Sequence, residues 1–270
     1  MGNIETRGAG VDFSKKIARK ITFAVLSSTI LKAETTDNYH SVEKARELIK
    51  SGYGLIVMIN HFSLKDPPLM IDELLRLKDF QDKKIIAPIA YHMDNGLLRN
   101  IFKIIDVSSI PIVTKSTIDK GKNNGLELND GMVKYMEESL ASLKNGQTVV
   151  FAPQGTRKDH LGQADKTTVG TLMAAAAKSG VDKYAALIVG LGIKGETDYS
   201  DKNGFNPLQK YTVNFGACLT SVEILAKAEE LAKAEAEKSG NTSRKAMSPF
   251  RFVDKVIYEE LGKVVPPSYR

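Results

Sequence analysis

A histidine and an aspartate stand together directly after a short apolar run, and their side chains could carry out acid–base chemistry. The segment reads Asn60-His-Phe-Ser-Leu-Lys-Asp-Pro-Pro68 and follows a strand predicted over Gly54–Ile59. The Asp66 carboxylate could accept the Nδ1 proton of His61 and stabilise the imidazolium that forms when Nε2 takes a proton from a hydroxyl. Alternatively, Asp66 only caps a helix that begins at Pro67, and His61 is an ordinary polar loop residue. Because a histidine followed five positions later by an aspartate is common, the spacing taken alone favours this second interpretation.

A second segment, Phe151-Ala-Pro-Gln-Gly-Thr-Arg-Lys158, follows another apolar run. Pro153 and Gly155 indicate a turn that exposes backbone N–H groups. The Arg157 guanidinium can bind a phosphate through two parallel hydrogen bonds, and Lys158 adds a further cationic donor. The segment therefore predicts either a cradle for a phosphate or an oxyanion, or a solvated turn that carries surface charges.

Together the two segments resemble the phospholipid/glycerol acyltransferase family of phospholipid biosynthesis. Its members carry a histidine, four further residues and an aspartate, matched here by His61 and Asp66, and later a Phe-Pro-Glu-Gly-Thr-Arg block, matched by Phe151–Arg157. Between them the family has a strand followed by a basic residue, matched by Ile110–Lys115. The resemblance covers about residues 54–220 in consistent order. It implies transfer of a fatty acyl group from an acyl thioester, either acyl-CoA or acyl-carrier protein, to the hydroxyl of a glycerolipid.

The resemblance also implies a role for individual residues. His61 is expected to be the general base and Asp66 the residue that orients it. The residues expected to bind the substrate phosphate are Lys115, Gly155, Thr156 and Arg157. No cofactor and no metal are expected, because the acceptor hydroxyl would attack the thioester co-substrate directly. The other histidines have no metal-ligand spacing, and ordinary polar positions are expected for His40 and His92.

Two residues depart from the family pattern and leave the acceptor open. Gln154 replaces the usual glutamate, and Lys115 stands where bacterial lysophosphatidate enzymes commonly have arginine. A glutamine can donate and accept hydrogen bonds, but it cannot act as an anionic anchor. We expect 1-acylglycerol-3-phosphate or a related lysophospholipid as the acceptor. The alternatives are a glycerol-3-phosphate acyltransferase, as in the soluble plastid-type enzymes, and a non-catalytic lipid-binding module, although such a module has no use for a base.

The composition limits the class of protein and its partners. The chain has 38 Lys+Arg against 32 Asp+Glu and a net charge of +6, which favours phospholipid headgroups, phosphorylated substrates or nucleic acid as partners. Nucleic acid is not expected, because no basic cluster is interleaved with aromatic residues and the chain has no Trp. The single cysteine, Cys218, indicates a reducing compartment and is expected to be buried and inert. No apolar stretch reaches about 18 residues, so we expect a cytoplasmic protein bound peripherally at a membrane surface.

Short apolar runs that alternate with helical patterns predict an α/β fold with a mostly parallel central sheet and helices on both faces. Residues 51–270 are predicted to be the acyltransferase domain with C-terminal helices, and residues 1–50 an N-terminal helical segment. A basic and apolar helix over residues 12–33 either anchors the protein at a membrane surface or packs on the catalytic body. Strands are predicted over residues 54–59, 85–89, 110–113, 148–152, 185–193 and 211–217. Helices are predicted from Ser41 to the Ser51-Gly52 pair and over residues 67–78, 96–103, 129–144, 167–179, 221–238 and 250–264. Asn129 or Asp130 is expected to cap the helix over 129–144.

Overall fold

The computed structural model describes residues 32–36, 39–63, 66–77, 80, 83–94, 99–100, 102–103, 107–155, 157–164, 167–199, 210–241, 243 and 246–270. These residues form one seven-stranded sheet with the order β1-β7-β6-β2-β5-β3-β4. The strands are β1 (Lys32–Thr36), β2 (Gly54–Ile59), β3 (Ile85–Ala90), β4 (Val107–Ile112), β5 (Thr148–Phe151), β6 (Tyr184–Ile193) and β7 (Lys210–Thr220).

Seven α-helices accompany the sheet within the described residues. They are α1 (Tyr39–Lys50), α2 (Asp66–Arg76), α3 (Lys115–Asp119), α4 (Met132–Lys144), α5 (Thr168–Lys178), α6 (Ser221–Ser239) and α7 (Val253–Val264). Short 3₁₀ turns lie at Tyr91–Met93, Pro249–Arg251 and Pro267–Tyr269. All six residues of β2 and the first nine of β6 are buried. Because successive side chains of a strand point to opposite faces, both faces of these central strands are covered, and the predicted α/β class is confirmed.

The direction of each strand determines the edge of the sheet at which its following loop lies. Strands β2 to β6 run parallel to their neighbours among these five, so their carboxyl ends lie along one edge of the sheet, here called the carboxyl edge. Strand β7 runs antiparallel to β6 and carries β1 parallel to itself. Its last residue, Thr220, pairs with Ala185 near the start of β6, so helix α6 begins at the opposite edge. Active sites of open α/β sheets gather at the carboxyl edge.

The N-terminal prediction is confirmed for one helix and wrong for the residues before it. The helix predicted to begin at Ser41 is α1 (Tyr39–Lys50). Residues 32–36 are predicted to belong to a helical segment, and Lys32 and Ala33 to the end of its helix, but they lie in β1. This strand pairs with β7 at the outer side of the sheet. Residues 1–31, which hold nearly all of the predicted anchor helix, lie outside the described residues. Of the predicted helix 96–103, residues 99–100 and 102–103 are described and are helical.

A glycine lets one helix pack closely on the central sheet. A Cβ on Gly54 would lie 2.7 Å from the Leu143 Cα atom, so only glycine lets α4 pack this closely on the start of β2.

Cys218 lies buried in β7, as predicted. Burial raises the pKa of its thiol to about 11, which disfavours the reactive thiolate.

Candidate active site

The loop that follows β2 has a fixed direction because its first residue is anchored to β6. Asn60 is fully buried, and its side-chain Nδ2 donates to the Leu191 carbonyl over 2.9 Å. The Leu191 N–H in turn donates to Asn60 Oδ1 over 2.6 Å. The side chain thus continues the ladder between the two strands beyond the end of β2. The next residue, His61, leaves the sheet at a defined position on the carboxyl edge.

His61 and Asp66 form the pair that the sequence suggests. The distance between His61 Nδ1 and Asp66 Oδ2 is 3.0 Å, and the aspartate is completely buried while 19% of the histidine side chain is exposed. With Asp66 ionised, the carboxylate can only accept, so Nδ1 then carries the proton and Nε2 keeps its lone pair. This tautomer is the one that a general base requires.

Asp66 does not bond as a simple helix cap. Its Oδ2 atom also accepts the backbone N–H groups of Phe62 and Ser63, both over 2.7 Å, so all three donors precede Asp66 in the chain. Oδ1 is buried and has no hydrogen-bond partner among the described residues. The interpretation of Asp66 as a helix cap is therefore wrong. Instead a single oxygen binds the His61 ring and the backbone of Phe62 and Ser63.

The environment of Asp66 sets the electrostatics of the pair. Burial raises the pKa of the Asp66 carboxyl, while the hydrogen bonds from His61, Ser63 and Phe62 act in the opposite direction. A desolvated carboxylate interacts more strongly with a charge that forms beside it than an exposed one does. Protonation of His61 at Nε2 would therefore be stabilised most by this one neighbour.

Gln154 joins the His61 loop to the loop that follows β5. Its Oε1 atom accepts the His61 N–H over 2.7 Å, and its Nε2 donates to the His160 carbonyl over 3.1 Å. The side chain is 3% exposed. The Lys158 N–H also donates to the His61 carbonyl over 2.9 Å. The amide thus uses both its donor and its acceptor. This gives glutamine a structural role at the position where the family described above has glutamate.

Tyr269, the penultimate residue of the chain, completes this connection and is not predicted from the sequence. Its hydroxyl lies 3.1 Å from Gln154 Nε2 and 3.3 Å from the carbonyl oxygens of both His61 and Lys158. Its own carbonyl accepts the Leu161 N–H over 2.6 Å. The C-terminal 3₁₀ turn therefore contacts both the loop after β2 and the loop after β5. A tyrosine after two prolines gives no sequence signal for this role.

Aromatic rings pack around Phe62 in the loop that follows β2. The Phe62 ring is buried and has centroid distances of 5.0 Å to Tyr199, 6.2 Å to Tyr211 and 5.7 Å to Tyr269. Tyr211 also places its hydroxyl 3.3 Å from Ser63 Oγ. These residues lie in separate parts of the chain, so only the fold brings them together.

The candidate phosphate-binding residues divide into two groups. Gly155 (φ +66°) and the half-buried Arg157 lie on the loop after β5, which is bonded to the His61 loop. Lys115 is exposed and begins α3 after β4. In the sheet order β3 lies between β5 and β4, so Lys115 shares the carboxyl edge but not the immediate contacts of His61. Thr156 lies outside the described residues.

His92 lies between these groups and occupies a polar position, as the sequence predicts. It follows β3, with Nδ1 2.9 Å from Thr117 Oγ1 and Nε2 3.3 Å from Lys120 Nζ. Burial lowers the pKa of its imidazole, and the charges of Lys120, Lys122 and Arg157 lower it further. The imidazole thus lies in a region of positive potential along the carboxyl edge.

Comparison of the sequence with protein-family models and with curated proteins gave no match. Among the described residues, no group of three or more His, Cys, Asp or Glu side chains could hold a metal ion. In the same part of the chain, no helix has both the length and the apolar character needed to cross a membrane. The candidate site thus consists of a buried carboxylate, an oriented imidazole and a basic loop, which lie along one edge of an α/β sheet.

Proposed function

We propose that this protein is a glycerolipid O-acyltransferase that transfers a fatty acyl group from acyl-CoA or acyl-carrier protein to the hydroxyl of a 1-acylglycerol-3-phosphate or related lysophospholipid. The observation that carries the proposal is the 3.0 Å contact between His61 Nδ1 and the buried Asp66 Oδ2, with the imidazole partly exposed. The imidazole thus has a desolvated carboxylate at Nδ1, its backbone N–H is held by Gln154, and 19% of the side chain remains exposed.

The reaction requires one proton to move in and out of His61. Nε2 takes the proton of the acceptor hydroxyl as its oxygen attacks the thioester carbonyl carbon. The carbon–sulfur bond then breaks, and the imidazolium returns the proton to the leaving thiolate. The products are the ester and the free thiol, so the histidine is regenerated. Asp66 holds the tautomer and stabilises the imidazolium in between.

Arg157 is assigned to the acceptor phosphate. It lies on the loop whose next residue, Lys158, donates its N–H to the His61 carbonyl, so a phosphate bound there is close to the base. Because the lysophospholipid acceptor resides in a bilayer, the protein would work at a cytoplasmic membrane surface as a peripheral protein. The basic balance of the chain is in keeping with such a surface.

One assay tests the function and its chemistry together. Radiolabelled acyl-CoA or acyl-carrier protein is supplied with lysophosphatidate and, in parallel, with glycerol-3-phosphate. His61→Ala should lower the rate by about 10²–10⁴-fold, since the hydroxyl then lacks its base. Asp66→Asn should cost less, because the base remains but its imidazolium loses a charged partner. His40→Ala, an exposed histidine on α1, is the matched control and should leave the rate unchanged.

The outcomes separate the candidate functions. Transfer to glycerol-3-phosphate in preference to lysophosphatidate would assign the other acceptor. Binding of lysophosphatidate without any transfer would instead make the protein a lipid-binding module. A folded His61→Ala variant that keeps a near wild-type rate would contradict the proposed mechanism.

A further inference from the structure

Exposed apolar side chains concentrate in one segment after β4. Among the described residues, six large hydrophobic side chains are exposed, and four of them lie within residues 118–133: Ile118, Leu126, Leu128 and Val133. Leu128 is 52% exposed and Val133 72%. Strand β4 ends beside β3 at the carboxyl edge, so this segment lies at the same edge as the candidate active site. Clustered exposed apolar groups mark surfaces that bind membranes or other molecules.

The segment is an ordered loop with a closed base. The Val113 N–H donates to the Asp130 carbonyl, and the Asn129 N–H donates to the Val113 carbonyl, each over 2.9 Å. Residues 114–129 therefore form a compact loop whose ends meet, a type of loop that often carries function. Asn124 (φ +50°) and Asn129 (φ +71°) hold left-handed backbone conformations that tighten it. We name these residues the 114–129 loop.

The inner side of the 114–129 loop is tied to the end of β3. Thr117 is fully buried, and its Oγ1 contacts His92 Nδ1 over 2.9 Å. Lys120 Nζ lies 3.3 Å from His92 Nε2. Thr114 and Thr117 form a capping box at the start of α3. With these polar contacts fixed on its inner side, the loop holds its exposed leucines in a defined place.

Charge along this edge favours an anionic partner. The described residues of segments 91–103, 113–134 and 152–164 contain eight Lys or Arg and five Asp or Glu. In and beside the loop the exposed lysines are Lys115, Lys120, Lys122 and Lys134, and the acidic residues are Asp119, Glu127 and Asp130. Asp130 Oδ2 already accepts the Glu127 N–H over 2.7 Å. Lysines that flank leucines suit a lipid interface, where ammonium groups reach phosphates and apolar side chains enter below them.

We propose that the 114–129 loop and the adjoining Val133 are the surface through which this protein binds an anionic lipid bilayer. The inference rests on the proposed function, because a lysophospholipid acceptor lies in the bilayer that the carboxyl edge must face. It differs from the sequence-based expectation of an anchor over residues 12–33. A bilayer accounts for the exposed leucines and the lysines together, whereas a small soluble anion accounts only for the lysines.

A single tryptophan can report the contact directly, because the chain has none. Leu128→Trp in the full chain is mixed with vesicles of phosphatidylcholine and phosphatidylglycerol. Its emission should shift to the blue and be quenched by brominated lipid. Val222→Trp is the matched control, since Val222 is 73% exposed and lies in the first turn of α6 at the opposite edge of the sheet. Its emission should not change.

Flotation with the same vesicles measures the contribution of each group. Leu128→Asp should lower the partition into vesicles about tenfold, because it removes a leucine side chain that the bilayer would bury. Val222→Asp adds the same charge elsewhere and should have no such effect. Lys122→Glu should lower the partition about fivefold or more, and Lys233→Glu on α6 much less. High salt and pure phosphatidylcholine vesicles should both weaken binding.

Several results would overturn the proposal. They are vesicle binding without an emission change in the Leu128→Trp variant, equal changes in both tryptophan variants, no vesicle binding, and a Leu128→Trp emission shift that needs an acidic acyl-carrier protein rather than lipid. The acyl-transfer assay on water-soluble glycerol-3-phosphate and on a monomeric short-chain lysophosphatidate keeps the two proposals separate. Transfer without bilayer contact would refute only the surface. Bilayer contact without transfer to any acceptor would refute only the enzyme.

Discussion

The carboxyl edge of the sheet has two halves that are built differently. The inner half, at the ends of β2 and β5, contains three side chains that are at most 3% exposed, and each forms hydrogen bonds with backbone groups: Asn60, Asp66 and Gln154. The outer half, at the ends of β3 and β4, presents exposed lysines on the 114–129 loop: Lys115, Lys120 and Lys122. Both halves belong to one sheet, but only the inner one is held by buried side-chain hydrogen bonds throughout.

This difference matches what the proposed function requires of each half. A general base works only when its nitrogen lies within hydrogen-bond reach of the proton that it removes. Buried amides and carboxylates provide that precision, since each has few alternative partners. Attraction between a lysine and a phosphate falls off slowly with distance, and a flexible stem can follow the phosphate. The outer half can therefore bind anions without a fixed geometry.

Substitution of the two candidate phosphate ligands should give unequal effects. Arg157→Ala should raise the Michaelis constant for a phosphorylated acceptor about tenfold to a hundredfold, because a charge-assisted contact of about 1.5–3 kcal/mol is lost. Lys115→Ala should raise it only severalfold, since neighbouring lysines compensate. Steady-state kinetics with the donor and acceptor varied separately provide the test. The donor constant should change little.

A phosphate-free monoacylglycerol is the control acceptor for both variants. Equal losses on this acceptor would refute the phosphate role of Arg157. Equal losses for Lys115→Ala and Arg157→Ala on lysophosphatidate would remove the distinction between the inner and outer halves.

Much of the fold could be predicted because buried strands leave a clear trace. Strands β2 and β6 are continuous apolar runs, and their predicted bounds lie within one residue of the observed ones. Strand β1, with the sequence Lys-Ala-Glu-Thr-Thr, has no apolar run and is not predicted. At the edge of the sheet, backbone pairing with β7 holds it, together with a salt bridge between Glu34 and Lys194. Helix α3 has only five residues and is not predicted either, for lack of a periodic pattern.

The start of α4 shows how tertiary contacts override local preference. Asn129 or Asp130 is predicted to cap this helix, but the cap is Gly131, with φ +89°. A Cβ there would lie 2.0 Å from the Pro111 carbonyl oxygen, so the approach of the chain to β4 requires glycine. Asp130 instead accepts the Glu127 N–H within the loop. The sequence shows the candidate caps but not the neighbouring strand.

The candidate site was predictable only where its residues lie close together in the sequence. His61 and Asp66 are only five positions apart in the sequence, and their side chains meet as expected. Gln154 and Tyr269 reach the same place from 93 and 208 residues beyond His61. Contacts over such separations depend on strand order and on the path of the C-terminal turn. Neither leaves a pattern in a single sequence.

Gln154→Glu tests how rigid the inner half is. The carboxylate would lose the amide hydrogens that face the His160 carbonyl and the Tyr269 hydroxyl, so the free energy of unfolding at neutral pH should fall by about 2 kcal/mol or more. Denaturant unfolding measures the change. Gln147→Glu is the matched control, because Gln147 Oε1 accepts the Lys84 N–H at an exposed site and a carboxylate can do the same. Its effect should stay within about 0.5 kcal/mol.

The pH dependence of the Gln154→Glu variant separates lost hydrogen bonds from simple packing damage. Burial and the His160 carbonyl beside one of its oxygens would raise the pKa of the Glu carboxyl, so the folded variant binds a proton more readily than the unfolded chain. The protonated carboxyl can donate again, and the variant should therefore regain stability as the pH is lowered. A loss that does not depend on pH would contradict this account of Gln154.

The smallest effect is expected at His92, whose ring contacts Thr117 and Lys120 in the outer half. Burial lowers the pKa of His92 in the folded protein, and the charges of Lys120, Lys122 and Arg157 lower it further. The unfolded chain, with a histidine pKa of about 6.5, then binds more protons than the folded one below that pH. Stability should therefore fall as the pH drops through about 6.5 toward the lowered value, and His92→Gln should reduce that fall. Denaturant titrations of both proteins across this window measure the difference, which should be smaller than the effect of Gln154→Glu. Parallel curves would mean that His92 keeps its charge on folding, and the outer half would then hold a cation in a fixed place.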